Sequence, residues 1–417
     1  MTLNHTYNLI VIGAGAAGMI AAITSAKRGK SVLLLEKLPK IGVKLKATGG
    51  GRCNLTNTLS NEEFMTHFGR DGRFMQDALG AFDYRDLRDF FTQIGVQTHV
   101  PDGFRVFPTS HNSSTIITAL ENEMQKLGIE VRCSHKVERI LYEKHQIIGV
   151  KSTCHTFYTA NVIVATGGLG YPTLGAEGDG YSMATELGHK VTKLYPAMMP
   201  LKTRESWVKN CRADTMAKVE IKVDIKKHKK LRAKGDLIFT TNGIRGPVVL
   251  DFAREITPLL QRYGEVPLLL NLTKGMNEEQ ITNHIKSEVS KNPSAMIVEH
   301  LSTLLPRAIS TELCLLLDIN PHAKHKTIEG IKRAKLIQLL AWTPLTITGD
   351  DGFKMAMITR GGINLKEIDP KTMQSKIIKG LYFCGEVMNL DGPCGGYNLQ
   401  WSFSSGYLAG HLGKSSE

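Results

Sequence analysis

One short segment limits what this chain can fold into more than any other. Gly13-Ala14-Gly15-Ala16-Ala17-Gly18 has the spacing GxGxxG. It follows an apolar, β-branched run (Tyr7–Ile12) and opens a stretch of small residues (Ala16–Arg28) closed by Gly29. The first run reads as a buried strand and the second as a helix. Ser31–Glu36 (SVLLLE) then reads as a second buried strand, completing a βαβ unit. In such a unit Gly13 permits the tight turn, Gly15 lets backbone approach a pyrophosphate, and Gly18 lets helix and strand pack closely. The helix start supplies N–H groups and partial positive charge for phosphates. Glu36 stands 18 residues beyond Gly18, where a carboxylate can accept the hydroxyls of an adenosine ribose. Dinucleotide binding is therefore expected.

Downstream residues choose the dinucleotide. Lys37–Asn57 is a long polar loop directly after the ribose acid, which suits FAD better than NAD because extra backbone must reach the isoalloxazine end. Within it, Thr48-Gly49-Gly50-Gly51-Arg52 offers close-approach N–H groups and a fixed cation. Val164-Ala165-Thr166-Gly167-Gly168 is a second strand-end turn and Leu381–Glu386 (LYFCGE) a third. Three such turns in this order point to an FAD domain built from both chain ends.

The rest of the sequence fits around that frame. The 417 residues predict two or three domains. Helical patterns run over Phe74–Leu79, Tyr84–Ile94 and Ser114–Leu127, strand material over Val131–Ile148, and a buried strand over Asn161–Ala165. From about 192 to 345 the texture changes. Residues 202–234 hold twelve Lys/Arg against four acids, Lys218–Ile225 alternates as a half-exposed strand, and Lys226–Lys230 reads as an exposed hairpin end. Residues 277–340 read as helices broken at Pro293, Pro306 and Pro321, and Gly395–Gly413 as a closing helix. The expected division is an FAD domain from 1–192 and 354–417, a β-rich insertion at 193–275 with 341–353, and a helical subdomain at 276–340.

The formal charge of +13 favours anionic partners. Seven cysteines without CxxC spacing argue against a disulfide framework or structural zinc and for a reducing compartment. Asn8–Ala26 is uncharged and span-length, but its glycines and the strand–turn–helix reading explain it better than a membrane segment. A cytoplasmic location without membrane contact is expected. The fourteen histidines form no HxH or HExxH set, and no metal site is assigned.

Four blocks carry a resemblance that spans essentially the whole chain and is weakest at 200–345. They are VIGAGAAG…LLLEK (11–37), TGGGRCNLTN (48–57), VIVATGGLGYPTLGAEGDGY (162–181) and ITRGGI…CGEVMNLDGPCGGYNLQWSFSSGYLAG (358–410). The sequence resembles the YhiN-like flavoproteins, the BaiN/RdsA family of NAD(P)/FAD-dependent oxidoreductases. The resemblance implies an α/β fold: a Rossmann-like FAD domain of the fumarate-reductase-like flavoprotein type, with an inserted β-barrel and helical subdomain. It implies cofactor contacts from Gly13, Gly15, Ala16, Ala17, Gly18, Glu36, Lys37 and Lys44, from Thr48–Asn54 beside the flavin, and from Val137 and Ala165–Gly167. It adds Gly385 and Glu386 near the ribityl or pyrophosphate region. Gly395, Gly396, Tyr397, Asn398, Leu399 and Gln400 would meet the flavin ring through N–H groups at a helix start, whose positive end would stabilise the anionic reduced form. Members reduce conjugated C=C bonds of steroid-like enones, reduce uridine to dihydrouridine in ribosomal RNA, or oxidise a small amine. NADH or NADPH is the implied donor. This chain departs from the family at Thr240–Pro247 (TTNGIRGP), where Thr241 replaces a usual His, at Met388-Asn389, which lose an acid, and at Cys394, where Thr is frequent. These changes leave FAD binding as expected and the substrate open.

Four residues are candidates for chemistry or substrate. Cys53, beside Arg52, either donates a proton, with the guanidinium favouring its thiolate, or packs. Tyr171 either donates a proton or shapes the pocket. Cys394 precedes GGYN and is a candidate to face the cavity, and Arg360 a candidate to hold an anionic group. The basic run 202–234 is either a solvated hairpin face or a ribosomal RNA backbone contact. Trp207 and Phe239 flank it, too few to make a stacking platform.

Overall fold

A computed structural model describes residues 7–413. The chain divides into two units, one joining the residues up to Pro196 with those from Ala356 onward, the other Ala197–Met355.

The first unit is built on five parallel strands, β1 (Leu9–Ile12), β2 (Val32–Leu35), β3 (Glu130–Arg132), β4 (Val162–Val164) and β5 (Leu381–Phe383), in the spatial order β5-β4-β1-β2-β3. Four of the five are apolar at every position, as strands covered on both faces must be. The register Val11↔Ile163 and Ile163↔Tyr382 puts the last strand of the chain two places from the first. Helix α1 (Ala16–Lys27) buries ten of its twelve residues, and it packs against α2 (Tyr397–Gly410). A helix apolar all round belongs in a core, and small residues let the two approach: a Cβ on Gly406 would stand 2.3 Å from the Ala17 carbonyl oxygen. Val131–Ile148 resolves into the end of β3 and a meander, Val137–Glu143, Gln146–Ser152 and Thr156–Tyr158.

The second unit holds a closed six-stranded barrel of Leu201–Thr203, Thr215–Val223, Arg232–Phe239, Gly243–Arg245, Val266–Asn271 and Thr343–Asp350. Closure leaves no free sheet edge. The alternation read from Lys218–Ile225 is present, with Val219, Ile221 and Val223 inward. Helices Glu278–Lys291, Ile297–Leu301, Arg307–Leu315 and Gly330–Ala341 occupy the stretch read as helical. The sequence reading does not contain the seventeen-residue helix Pro247–Tyr263. Pro258 hides it, because an interior proline is normally a breaker. Here Val248, Val249, Phe252, Ala253 and Ile256 still form a buried stripe that holds the helix on the barrel. Trp207 and Phe239 are buried against each other, ring centroids 5.5 Å apart, and do not flank the basic run as surface aromatics.

Candidate cofactor and active site

The turn after β1 sits where three strand ends meet. Gly13 N donates to the Leu35 carbonyl, and Ala165 N donates to that of Ile12. A Cβ on Gly13 would lie 2.6 Å from Ala165 O, and one on Gly18 only 1.9 Å from Gly13 O. Both positions therefore require glycine for protein packing. Gly15 differs: no described atom lies within 4 Å of its missing Cβ. Its backbone is bare on that side, as the close approach of a pyrophosphate would require.

Glu36 follows β2, and both its oxygens are fixed by backbone: Ala14 N donates to Oε2 at 2.8 Å and Leu38 N to Oε1 at 2.9 Å. The carboxylate is thereby aimed at the glycine turn, with lone pairs remaining for hydroxyls. Ser134 N and His135 N donate to the Leu38 and Glu36 carbonyls, which brings the start of the meander, and buried Val137, alongside. Lys37 is placed differently from the expected cofactor contact. Its ammonium meets Asp179 at 2.5 Å and Glu177 at 2.7 Å. Burial would lower its pKa, but these two carboxylates outweigh that and raise it. Its charge is spent inside the protein.

The third strand-end turn is held by a second ion pair. Lys44 Nζ lies 2.8 Å from Glu386 Oε2, and Thr359 N donates to Glu386 Oε1 at 2.9 Å. Leu169 N donates to Thr359 Oγ1 at 2.7 Å. The segment carrying Gly167 and Tyr171 thus runs beside Ile358–Arg360, the strand carrying Arg360. Gly168 and Gly170 allow this approach: a Cβ on Gly170 would lie 2.7 Å from Ala356 O. Gly385 N donates to Ser405 Oγ, tying this turn to α2. Thr359 is a site residue that the sequence reading misses, because nothing in ITRGG marks it.

The glycine loop and the chain's last loop form a clamp. Asn57 Nδ2 donates to Gly395 O at 3.0 Å across 338 residues. With its amide turned so that nitrogen faces Thr56 O and oxygen faces Gly396 N, the orientation that satisfies both, Asn54 donates to the first and accepts from the second, both at 3.0 Å. Gly396 presses on Thr56, where a Cβ would sit 2.5 Å from backbone atoms. Asn54 and Asn57 therefore hold the start of α2 over the loop, whose Gly50 and Gly51 have no described atom within 4 Å of a Cβ. The buried Thr166 Oγ1 faces Gly180, whose missing Cβ would lie 2.1 Å from it, and has no hydrogen-bond partner among the described residues. Bare glycine backbone on two loops and an aimed carboxylate fit an extended dinucleotide. Gln400 is the exception among the helix-start residues. Its N–H donates to the Gly396 carbonyl as an ordinary helical bond, and its amide donates to Phe82 O and Ser404 Oγ in the core. It braces α2 and has no N–H left for a flavin.

Cys53 is fully buried, and burial pushes its thiol up to about 12, Thr48 pulling weakly the other way. Arg52 is exposed and lies over the Phe107 ring, 5.4 Å from its centroid. The guanidinium does not support a thiolate, and packing is the role this environment gives Cys53. Tyr171 and Cys394 are half-buried, Tyr171 in a left-handed conformation ahead of Pro172.

A family model described as the HI0933-like protein Rossmann domain matches residues 7–412. The chain belongs to the HI0933-like family. It is 30% identical over 403 residues to the 3-dehydro-bile acid delta(4,6)-reductase of Clostridium scindens, covering 96% of this chain and 97% of that one. It is 31% identical over 402 residues to the ribosomal RNA dihydrouridine synthase of Haemophilus influenzae, covering 95% and 96%. Among solved structures it resembles the Rhodococcus jostii 3-ketosteroid-delta4-(5alpha)-dehydrogenase, with a TM-score of 0.51 at 15% identity, covering 99% and 97%. That likeness speaks to fold. The HI0933-like chain is a flavin-type oxidoreductase with a Rossmann FAD-binding fold.

Proposed function

We propose that this chain binds FAD, accepts hydride from NADH or NADPH, and reduces an activated C=C bond, with uridine in ribosomal RNA as the leading substrate and cytoplasm as its compartment. The clamp of Asn54 and Asn57 on Gly395–Gly396 carries the reading, because it closes two distant segments around one bare glycine loop. When bound, FAD supplies reversible hydride transfer. Gly13–Gly18 and the start of α1 would receive the pyrophosphate, Glu36 the adenosine ribose, and the glycine loop with the start of α2 the flavin ring. Glu386, fixed by Lys44 and Thr359, would orient the ribityl region. The first turn of α2 would bring its positive dipole to the negative charge of a reduced flavin. Tyr171 and Arg360 lie on neighbouring segments and are proposed to face substrate, with Cys394 on the opposite loop.

Full-length similarity to a bile acid reductase favours a second reading, a small-molecule enone substrate without nucleic acid. The test has two parts. The purified protein should be yellow, and NADH or NADPH should bleach the 450 nm band anaerobically. Mass mapping of dihydrouridine in ribosomal RNA from a deletion strain should then show a lost modification. An unchanged map with enone-dependent reoxidation would select the second reading. A colourless protein that takes up no FAD would end both.

A further inference from the structure

In the barrel unit, the hairpin of strands Thr215–Val223 and Arg232–Phe239 ends in a tip from Asp224 to Leu231. From Ile225 to Gly235 there are six Lys/Arg and no acid. Lys226, Lys227, Lys229, Lys230 and Arg232 are exposed, and none forms an ion pair among the described residues. Unpaired cations repel one another, so a tip of this kind stores an attraction for polyanions that an ion-paired surface has already satisfied.

Charge alone does not choose the polyanion; an aromatic does. Tyr263, the last residue of helix Pro247–Tyr263, is brought against the tip, where its hydroxyl lies 3.2 Å from His228 Nε2. The residue is 38% exposed, with the His228 ring edge-on at 5.8 Å and the Arg262 guanidinium 5.2 Å from the ring centroid. The nearby Glu265 is neutralised by Arg204. Farther along the same hairpin, Lys222 stands across from Arg232, its ammonium 3.5 Å from the centre of the Trp342 ring. Cations around an exposed aromatic ring are the composition that binds nucleic acid, phosphates to the ammonium groups and a base to the ring. Asp224 at the base of the tip is the one carboxylate within residues 224–231, with Glu220 and Asp236 farther down the two strands.

We infer that this tip is an RNA-docking surface, in which Lys226, Lys227, Lys229 and Lys230 contact phosphates and Tyr263 stacks on an unpaired base. The inference rests on the ribosomal RNA reading above and gives it a partner surface.

The test uses the full-length flavin-loaded protein and a fluorescein-labelled ribosomal RNA stem-loop, titrated by anisotropy from 50 to 200 mM salt. With all four lysines changed to Gln, the slope of log Kd against log salt should fall by about 3, so that the wild type loses about 60-fold more affinity over that range than the variant. Tyr263→Leu should weaken binding about 5- to 150-fold at fixed salt while leaving the slope unchanged. FAD content and the rate at which NAD(P)H reduces the flavin should be unaffected by either change. Equal RNA affinity and slope in the four-lysine variant would overturn the inference. So would wild-type protein that ignores RNA and binds phosphatidylserine vesicles through these lysines, which would assign the tip to a membrane surface. Failure of NAD(P)H to reduce the flavin would instead sink the enzymatic reading and leave the RNA titration to decide the tip.

Discussion

Two glycines three residues apart provide the sharpest test of the cofactor site, because their neighbourhoods differ. At Gly18 an added Cβ would sit 1.9 Å from the Gly13 carbonyl oxygen, about 1.5 Å inside the 3.4 Å at which ordinary contact begins. The obstacle is backbone, so α1 itself must withdraw, and ten of its residues are buried. Overpacking of this kind costs about 1–3 kcal/mol or more. The roughly 1 kcal/mol that alanine gains over glycine in a helix offsets only part of it. Gly18→Ala should therefore destabilise even the apoprotein by about 2 kcal/mol. At Gly15 nothing described lies within 4 Å, and its φ of −86° suits alanine. Gly15→Ala should cost the apoprotein less than about 1 kcal/mol, through the weaker N-cap. Its methyl group would point where a pyrophosphate approaches, and a clash of about 1–3 kcal/mol there means about 5- to 150-fold weaker FAD binding. Urea unfolding of the flavin-free variants, with FAD titrated by quenching of its fluorescence, separates the two effects. Full FAD affinity in Gly15→Ala, or equal destabilisation by both changes, would refute the assignment of Gly15 to the ligand and Gly18 to the fold.

Three further outcomes follow from the site. Asn57→Ala removes the bond to Gly395 O and strands a carbonyl, which should cost about 1–3 kcal/mol of stability and weaken FAD binding, readable by thermal unfolding with and without FAD. Cys53→Ala should retain NAD(P)H-dependent reduction within a few-fold, and the wild-type thiol, pushed up to about 12, should resist iodoacetamide at pH 8; rapid alkylation, or a loss of reduction beyond a hundredfold, would restore a catalytic role. His189 is buried between Ser375 Oγ at 2.8 Å and Glu367 Oε2 at 3.2 Å. Burial lowers its pKa against the pull of Glu367, so the neutral ring stabilises the fold fully above the ordinary value of 6.5 and loses that contribution as pH falls from there through the folded value. The wild type should lose stability across that window by at most about 1.4 kcal/mol per pH unit from this group, and His189→Gln should flatten that part of the curve.

The turns that frame the candidate cofactor site are legible in order along the chain. The spacing of Gly13, Gly15 and Gly18 and the acid at 36 are local requirements of a βαβ turn, so a linear pattern carries them. The alternation of Lys218–Ile225 likewise announced a half-exposed strand, and the prolines at 293, 306 and 321 the breaks between helices. The side-chain partners of Lys37 and Gln400, Asp179 and Phe82, are not legible in the sequence because they come from distant positions. Cys53 was ambiguous because sequence adjacency to Arg52 does not say which side chain is buried.

The sequence by itself determined which segments become glycine-rich turns at strand ends, because turn geometry depends on residues a few positions apart. Only tertiary structure decided which groups meet: Asn57 with Gly395, Lys44 with Glu386, and Tyr263 with the basic tip. Those pairings arise from paired strands and packed helices that bring together positions 35 to 342 residues apart, and contacts of that range leave no local period to read.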